Sequence, residues 1–242
     1  MEGESFSQYG EDKGVWEFFQ RKRDGYFVEV GAHHPSFLSQ SLLLERNGWR
    51  GVLIEPLPNF CDLLREQRPR SRVVQAACGS PARRGIRKFY VSKDKALSSL
   101  DKNLIHPQAV YDGDFEIEVR TLDDILAESG EAHIDFLSID VEGNELDVLH
   151  GFSLGSKRPG LIIVEDVQRR FSLHWYLERN GYRLVRRTGC NSWYVSQERA
   201  KSLATPVQRL RMIARLHLGM PIRQLRFLRN KLRAGSPECE SK

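Results

Sequence analysis

No run in this chain approaches the roughly 18–20 consecutive apolar residues that a membrane-spanning helix needs. Residues 1–13 carry Glu2, Glu4, Glu11 and Asp12 where a secretory leader would have a basic start and an apolar core. A cytoplasmic protein is therefore expected. Cysteine is scarce: Cys61, Cys78, Cys190 and Cys239 are scattered, with no C-x-x-C pair and no histidine at zinc spacing, so reduced thiols that ligate no metal are expected. Cys78 and Cys190 read as small buried side chains, because no neighbour of either points to an activated thiolate. Nucleotide loops are missing too. No glycine loop ends in Lys-Ser or Lys-Thr, which excludes a P-loop, and Gly31-Ala32-His33-His34-Pro35 has one glycine where G-x-G-x-x-G would hold NAD or FAD.

At 242 residues, with 40% hydrophobic and 29% charged side chains, the chain has material for one α/β domain and an appendage. Its organising stretch is Tyr26-Phe27-Val28-Glu29-Val30-Gly31. Five residues of strand character run into a glycine, which lets the backbone turn tightly beside a ligand. Upstream, Val15-Trp16-Glu17-Phe18-Phe19 reads as a short amphipathic helix. Beyond a first strand over 25–30, strands are expected over 51–55, 72–77, 116–120, 134–140 and 160–165. Helices over 42–46, 59–66, 121–126, 146–149 and about 174–180 alternate with them, the first capped by Ser39-Gln40-Ser41. Residues 83–91 read as a β excursion, and 92–114, with Ser98-Ser99-Leu100, as a long irregular segment and lid candidate. Strands over 182–187 and 192–195 are close enough to form a hairpin. This pattern predicts an α/β fold with a mostly parallel sheet and a terminal antiparallel hairpin. The expected units are an N-terminal helical segment (1–24), a ligand-binding domain (25–198) and a basic tail (199–242).

In open α/β sheets, ligands sit beyond the carboxyl ends of the parallel strands. Glu55 ends the second strand and lies 24 residues after Gly31, near the roughly 20-residue spacing at which an acid reaches ribose hydroxyls. Glu29 suits a cationic group such as a sulfonium. Together the two acids describe S-adenosylmethionine better than a nucleotide; the plainer alternative is that both merely cap strand ends.

Six motifs occur in order: Ser7-Gln8-x-Gly10-Glu11-Asp12, Phe27-Val28-Glu29-Val30-Gly31-Ala32, Gly48-Trp49-Arg50-Gly51, Ile54-Glu55-Pro56, Thr121-Leu122-Asp123 and Ile139-Asp140-Val141-Glu142-Gly143-x-Glu145. In combination they resemble the FkbM-type methyltransferases, over about residues 7–195. The resemblance implies a class I (Rossmann-like) methyltransferase sheet of seven strands and S-adenosylmethionine bound by Glu29, Gly31 and Glu55. It also implies methyl transfer to a hydroxyl oxygen, commonly of a sugar or secondary metabolite. The expected cofactor contacts are Gln8, Glu29, Gly31, Glu55, Pro56, Ala77, Cys78 and Asp140. The family's more usual Gly-Ala-Asn loop is replaced here by Gly31-Ala32-His33.

A sugar hydroxyl is a poor nucleophile at neutral pH, so a general base or a metal should assist. Asp140, Glu165 and Asp166, at the carboxyl ends of adjacent strands, offer hard oxygen ligands for Mg²⁺. The arrangement looks like that of the Mg²⁺-dependent sugar O-methyltransferases of macrolide pathways, although their catalytic histidine position is Gly143 here. In the other reading Asp166 is a solvated loop acid, while Asp140 and Glu165 orient substrate. Candidate bases are His33, His34, Glu142 and His174. His34 at the loop tip is the expected catalytic histidine, with Glu142 and Asp140 beside it; Glu142 alternatively favours a helix N-terminus. His174 reads either as part of a sugar-binding wall or, with Trp175, as core.

The formal charge is +5, yet from Pro206 onward seven arginines and two lysines face Glu238 and Glu240. The tail is thus +7 and the first 205 residues near −2. Apolar residues three or four apart, broken by Gly219-Met220-Pro221, predict two basic amphipathic helices. They would dock on an anionic inner membrane face, or cover the body or a partner subunit, a homo-oligomer included. Nucleic acid is disfavoured because only Phe227 is available for stacking. The expected function is an S-adenosylmethionine-dependent O-methyltransferase of a saccharide, glycoconjugate or glycolipid hydroxyl. The alternatives are methylation of a polyketide or other small metabolite, and a catalytically silent cofactor-binding membrane adaptor.

Overall fold

The computed structural model describes residues 4–104, 109–131, 133–166 and 171–203, with single positions between 205 and 229. The expected tail helices, apart from those positions, Cys239 and residues 105–108 of the lid candidate lie outside the described residues. In chain order the elements are α1 (Glu11–Phe18), β1 (Tyr26–Val30), α2 (Leu42–Arg46), β2 (Arg50–Glu55), α3 (Pro58–Gln67), β3 (Ser71–Gln75), β4 (Ala77–Cys78), β5 (Gly85–Ser92), β6 (Tyr111–Arg120) and α4 (Leu122–Ala127). They continue as β7 (Phe136–Ile139), α5 (Glu145–His150), α6 (Leu154–Lys157), β8 (Leu161–Glu165), α7 (Phe171–Arg179), β9 (Tyr182–Thr188), β10 (Asn191–Ser196) and α8 (Gln197–Leu203).

Seven strands form one sheet in the order β3-β2-β1-β7-β8-β10-β9. Its ladders are parallel except where β10 meets β8 and β9. Every residue of β1 is buried, as a central strand covered on both faces requires. Alternate residues divide between two cores: Val28, Val30, Ile54, Leu137 and Ile162 on one face, and Phe27, Leu53, Phe136, Leu161 and Ile163 on the other. A small second sheet, β4-β6-β5, stands beside the first.

Three elements differ from their sequence pattern. The expected strand over 72–77 breaks after Gln75, and Ala77–Cys78 pairs instead with β6. Strand β6 starts at Tyr111, because its exposed half pairs with β5 and needs no apolar alternation. His174 is buried, whereas Trp175 is 53% exposed with the Arg179 guanidinium against its ring. Thr121 caps α4 with a full capping box, as Thr-x-x-Asp allows. At α2 the Ser39 hydroxyl accepts from the Leu42 amide at 3.1 Å, while Ser41 turns inward.

Ser41 belongs to a buried polar network. Arg68, 1% exposed, donates to Glu45 at 2.7 Å, to Ser41 Oγ at 2.8 Å and to the Pro35 carbonyl and Ser39 Oγ at 3.2 Å. Ser41 Oγ in turn donates to Glu29, whose other oxygen accepts from the Gln40 amide at 3.0 Å. Removing one partner of such a group strands buried charge, a loss of about 3–5 kcal/mol. Arg68→Met is expected to lose about that much in urea unfolding, and Arg68→Lys to recover little, since an ammonium lacks the planar fork. A Lys variant with wild-type stability would show that the fork is dispensable.

Candidate active site

Strand β1 delivers the chain to the site through Gly31. Its φ is +84°, and a Cβ there would lie 1.8 Å from the Asp140 carbonyl oxygen, so no other residue fits. The Gly31 and Ala32 amides both donate to the Ile54 carbonyl, at 2.9 and 3.0 Å, and the Asp140 amide donates to the Val30 carbonyl at 2.9 Å. The carboxyl ends of β1, β2 and β7 are thereby bound into one floor.

Over that floor lies a cavity of about 270 Å³. Among the expected cofactor contacts, Gln8, Gly31, Glu55, Pro56, Ala77, Cys78 and Asp140 line it. Glu29 does not: it shares a strand face with Phe27, under Arg68, and both its oxygens are engaged by residues 40 and 41. Burial outweighs these partners and holds its carboxyl above the usual range.

Glu55 accepts the Leu57 amide on one oxygen and the His33 amide on the other, each at 2.8 Å. Each oxygen keeps a further acceptor site. Burial raises this carboxyl to about 7 in spite of those bonds. The thiols of Cys61, Cys78 and Cys190 are raised to about 12, again chiefly by burial, so none is an activated thiolate.

At the ends of β7 and β8, Asp140, Glu142 and Glu165 bring one ligand atom each within 4.8 Å of the others, and all three line the cavity. Burial and mutual repulsion lift Glu142 to about 9, Glu165 to about 8, and Asp140 well above its ordinary value. Asp166 is not in this group. It follows Glu165 on an alternating backbone and so turns to the other side, where its carboxylate is 3.9 Å from the Arg187 guanidinium.

His34 is also outside the cavity lining. Its Nδ1 accepts the Ser36 and Phe37 amides at 3.2 and 3.0 Å, which closes the turn after the β1 loop. His33 lines the cavity in its place, with φ +49°, its ring centroid 4.2 Å from that of Phe60 and its buried Nδ1 without a hydrogen-bond partner among the described residues. Burial lowers its pKa.

The turn at Lys95–Leu97 and Ser98 form the wall opposite, within the expected lid. Ser99 Oγ donates to the Glu142 carbonyl at 3.0 Å and accepts from Asn144 Nδ2 at 3.0 Å, tying that wall to the acidic loop. Asn144, Leu38 and Phe89 also line the cavity; their residue types carry no chemical signal in a sequence. The N-terminal wall, Gln8, is held by buried neighbours. Asp12 accepts from the Phe6 amide at 2.7 Å, and Glu11 from Thr188 Oγ1 at 3.0 Å and Asn191 Nδ2 at 2.9 Å.

A seven-stranded sheet whose penultimate position holds the single reversed strand, with an acid-lined cavity at the carboxyl ends of β1, β2, β7 and β8, defines a Rossmann-like methyltransferase. A family model described as the methyltransferase FkbM domain matches residues 29–184. The chain belongs to the FkbM methyltransferase family. Among solved structures it is similar to methyltransferase FkbM from Methylobacillus flagellatus KT, at 19% identity and a TM-score of 0.48, over 72% of this chain and 44% of that one. The chain thus spans less than half of that relative. It is also similar to a methyltransferase from Geobacter sulfurreducens, at 14% identity and a TM-score of 0.46, over 79% and 81% of the two chains. No curated protein sequence matches it significantly. Among the described residues no helix is long and apolar enough to cross a membrane.

Glu55 sets a pH signature. Its folded pKa of about 7 exceeds that of an exposed glutamate, about 4.3. Its contribution to stability is therefore fully present below about pH 4.3 and lost as pH rises through about 7. The melting temperature of Glu55→Gln minus that of wild type should become more positive between pH 5 and pH 8. A difference that stays flat across that range would mean Glu55 titrates normally.

Proposed function

We propose that the protein is an S-adenosylmethionine-dependent O-methyltransferase acting on a hydroxyl group of a saccharide or glycoconjugate. The observation that carries this reading is the meeting, in one cavity, of Glu55 with the Asp140, Glu142 and Glu165 cluster.

The residues present fit the donor. The remaining acceptor sites on Glu55 suit a ribose diol, His33 Nδ1 is a buried polar atom awaiting a partner, and Gly31 admits a ligand against the backbone. Bound there, S-adenosylmethionine would supply an electrophilic methyl group on a sulfonium. The carboxyls at the other end of the cavity would then have two tasks: to offset that positive charge, and to receive the proton that the acceptor hydroxyl releases as its oxygen bonds to the methyl carbon and the carbon–sulfur bond breaks, with S-adenosylhomocysteine leaving. Burial and its acidic neighbours hold Glu142 at about 9 when no cation is beside it; the positive sulfonium would draw it back to the carboxylate. In that form Glu142, on a loop held by Ser99, would accept the proton while Asp140 orients the hydroxyl.

The closeness of the three carboxylates favours a second reading, in which Asp140, Glu142 and Glu165 hold Mg²⁺ with retained waters. The metal would make the hydroxyl more acidic, and the donor site is the same in both readings.

The sequence of the tail adds a peripheral role. Seven arginines between apolar residues at helical spacing support docking on an anionic membrane face, where a glycolipid acceptor would be presented. Vesicles containing phosphatidylserine should cosediment the protein and phosphatidylcholine vesicles should not. Replacing Arg209, Arg211, Arg215 and Arg223 by Gln should release it; retention of the variant would remove the membrane role.

Calorimetric titration with S-adenosylhomocysteine, with and without Mg²⁺, tests the main reading. Micromolar binding is expected, weakened at least about tenfold in Glu55→Ala, where two backbone amides and the ribose lose their acceptor. Methyl transfer to a saccharide panel should fall by about 10²-fold or more in Glu142→Gln. Mg²⁺-stimulated transfer that is lost in Glu165→Gln would select the metal reading. Wild-type protein that takes up no S-adenosylhomocysteine would end both.

A further inference from the structure

The cavity of about 270 Å³ lies just below the range typical of small-ligand pockets, about 300–1,000 Å³, and has no room for a second reactant beside a cofactor. A second reactant must reach it from outside, and two of its lining side chains show from which side. Gln8 and Leu38, which line the cavity, also line an open cleft of about 590 Å³ between the N-terminal segment and the turn after β1. That turn is the one closed by His34, and it leaves the Phe37 ring 62% exposed on the cleft wall beside hydroxyls of Ser7 and Ser36. Leu38 at the gate has φ +63°, a conformation that costs energy for a residue with a side chain.

A larger cleft of about 690 Å³ adjoins this one, the two sharing Glu4, Phe6 and Arg46 in their walls. The character changes there: Lys13, Arg21, Arg23 and Arg46 face Glu4 and Glu17, alongside Trp16. The Arg46 guanidinium lies 4.5 Å from the centre of the Phe6 ring. Neither it nor that of Arg23 has a carboxylate partner among the described residues, whereas Arg50, Arg65, Arg72, Arg84 and Arg120 are all paired. The positive charge of Arg23 and Arg46 is local, because the first 205 residues are near −2 overall.

We infer that this connected groove is the acceptor site, and that the acceptor is an extended saccharide carrying an oxyanion, phosphate or carboxylate. Its hydroxyl would enter between Gln8 and Leu38, a sugar ring would lie on Phe37, and the anion would pair with Arg46 and Arg23. Aromatic faces suit the C–H surface of a sugar, and the planar donor fork of an unpaired guanidinium suits the oxygens of a carboxylate or phosphate. The inference deepens the proposed saccharide methylation and rests on that reading.

The test titrates the full-length protein, saturated with S-adenosylhomocysteine, with glucose 1-phosphate, glucuronate and methyl glucoside. At least one anion should bind about tenfold more tightly than the neutral sugar, and the tighter of the two identifies the oxyanion. The Arg23→Gln/Arg46→Gln protein should lose that margin while its affinity for S-adenosylhomocysteine stays at the wild-type value, and Phe37→Ala should weaken all three sugars together. Equal binding of the three, no binding of any, or a margin that survives the arginine replacements, in protein that still takes up S-adenosylhomocysteine, overturns the inference and leaves the methyltransferase reading standing. Failure to take up S-adenosylhomocysteine overturns that reading and the inference with it.

Discussion

One buried arginine conditions the geometry of the site without touching it. Arg68 comes from the end of α3, yet its guanidinium reaches the carbonyl of Pro35, the hydroxyls of Ser39 and Ser41 and the carboxylate of Glu45. These contacts, with Glu29 drawn in through Ser41, hold the segment from the β1 loop to α2 against the sheet. Two acids around one base is an unfavourable charge balance in a dry interior, and burial accordingly pushes Glu29 toward its neutral form. The network is tolerable because every oxygen of Glu29 and Glu45 has a donor.

Around the cavity the backbone itself is under load. Of the six non-glycine residues with positive φ among the described residues, three line the cavity: His33, Leu38 and Glu142. Each is held by a neighbour's constraint rather than by its own preference. The His33 amide is bound to Glu55, the turn just before Leu38 is closed by His34, and the Glu142 carbonyl is bound to Ser99. Strain of this kind persists only where the surroundings over-determine it, and it gathers where side chains must be aimed at a ligand.

The order of elements was legible because strand and helix periods alternate cleanly and glycines or prolines mark their ends. Glu55 was legible for the same reason: an acid followed by Pro56 must sit at a strand tip. Glu29 was misplaced because an acid next to the first glycine looks equivalent, and only the face it occupies separates a cofactor contact from a partner of Arg68. Asp166 failed by the same one-residue alternation, and Glu142 took its place in the acidic group. His34 drew attention as a titratable group in a ligand loop, whereas its nitrogen serves the turn; the neighbouring His33 reaches the cavity through a left-handed φ that sequence does not announce. The basic groove was invisible, since Arg23 and Arg46 are brought together across α1 and α2 by packing alone.

The pairing of Glu11 with Thr188 and Asn191 spans about 180 positions of the chain, 177 in the case of Thr188. At a synthesis rate of about 5–20 residues per second, a ribosome completes the partner roughly 10–35 s after the acid. During that interval β1, β2 and β7 can already associate, but the segment bearing Gln8 has only its local contacts, to Asp12 and Arg46. The last wall of the cavity therefore gains its long-range anchor only when the final hairpin emerges. The nascent chain can thus pair its parallel strands before the chamber at their ends has all its walls.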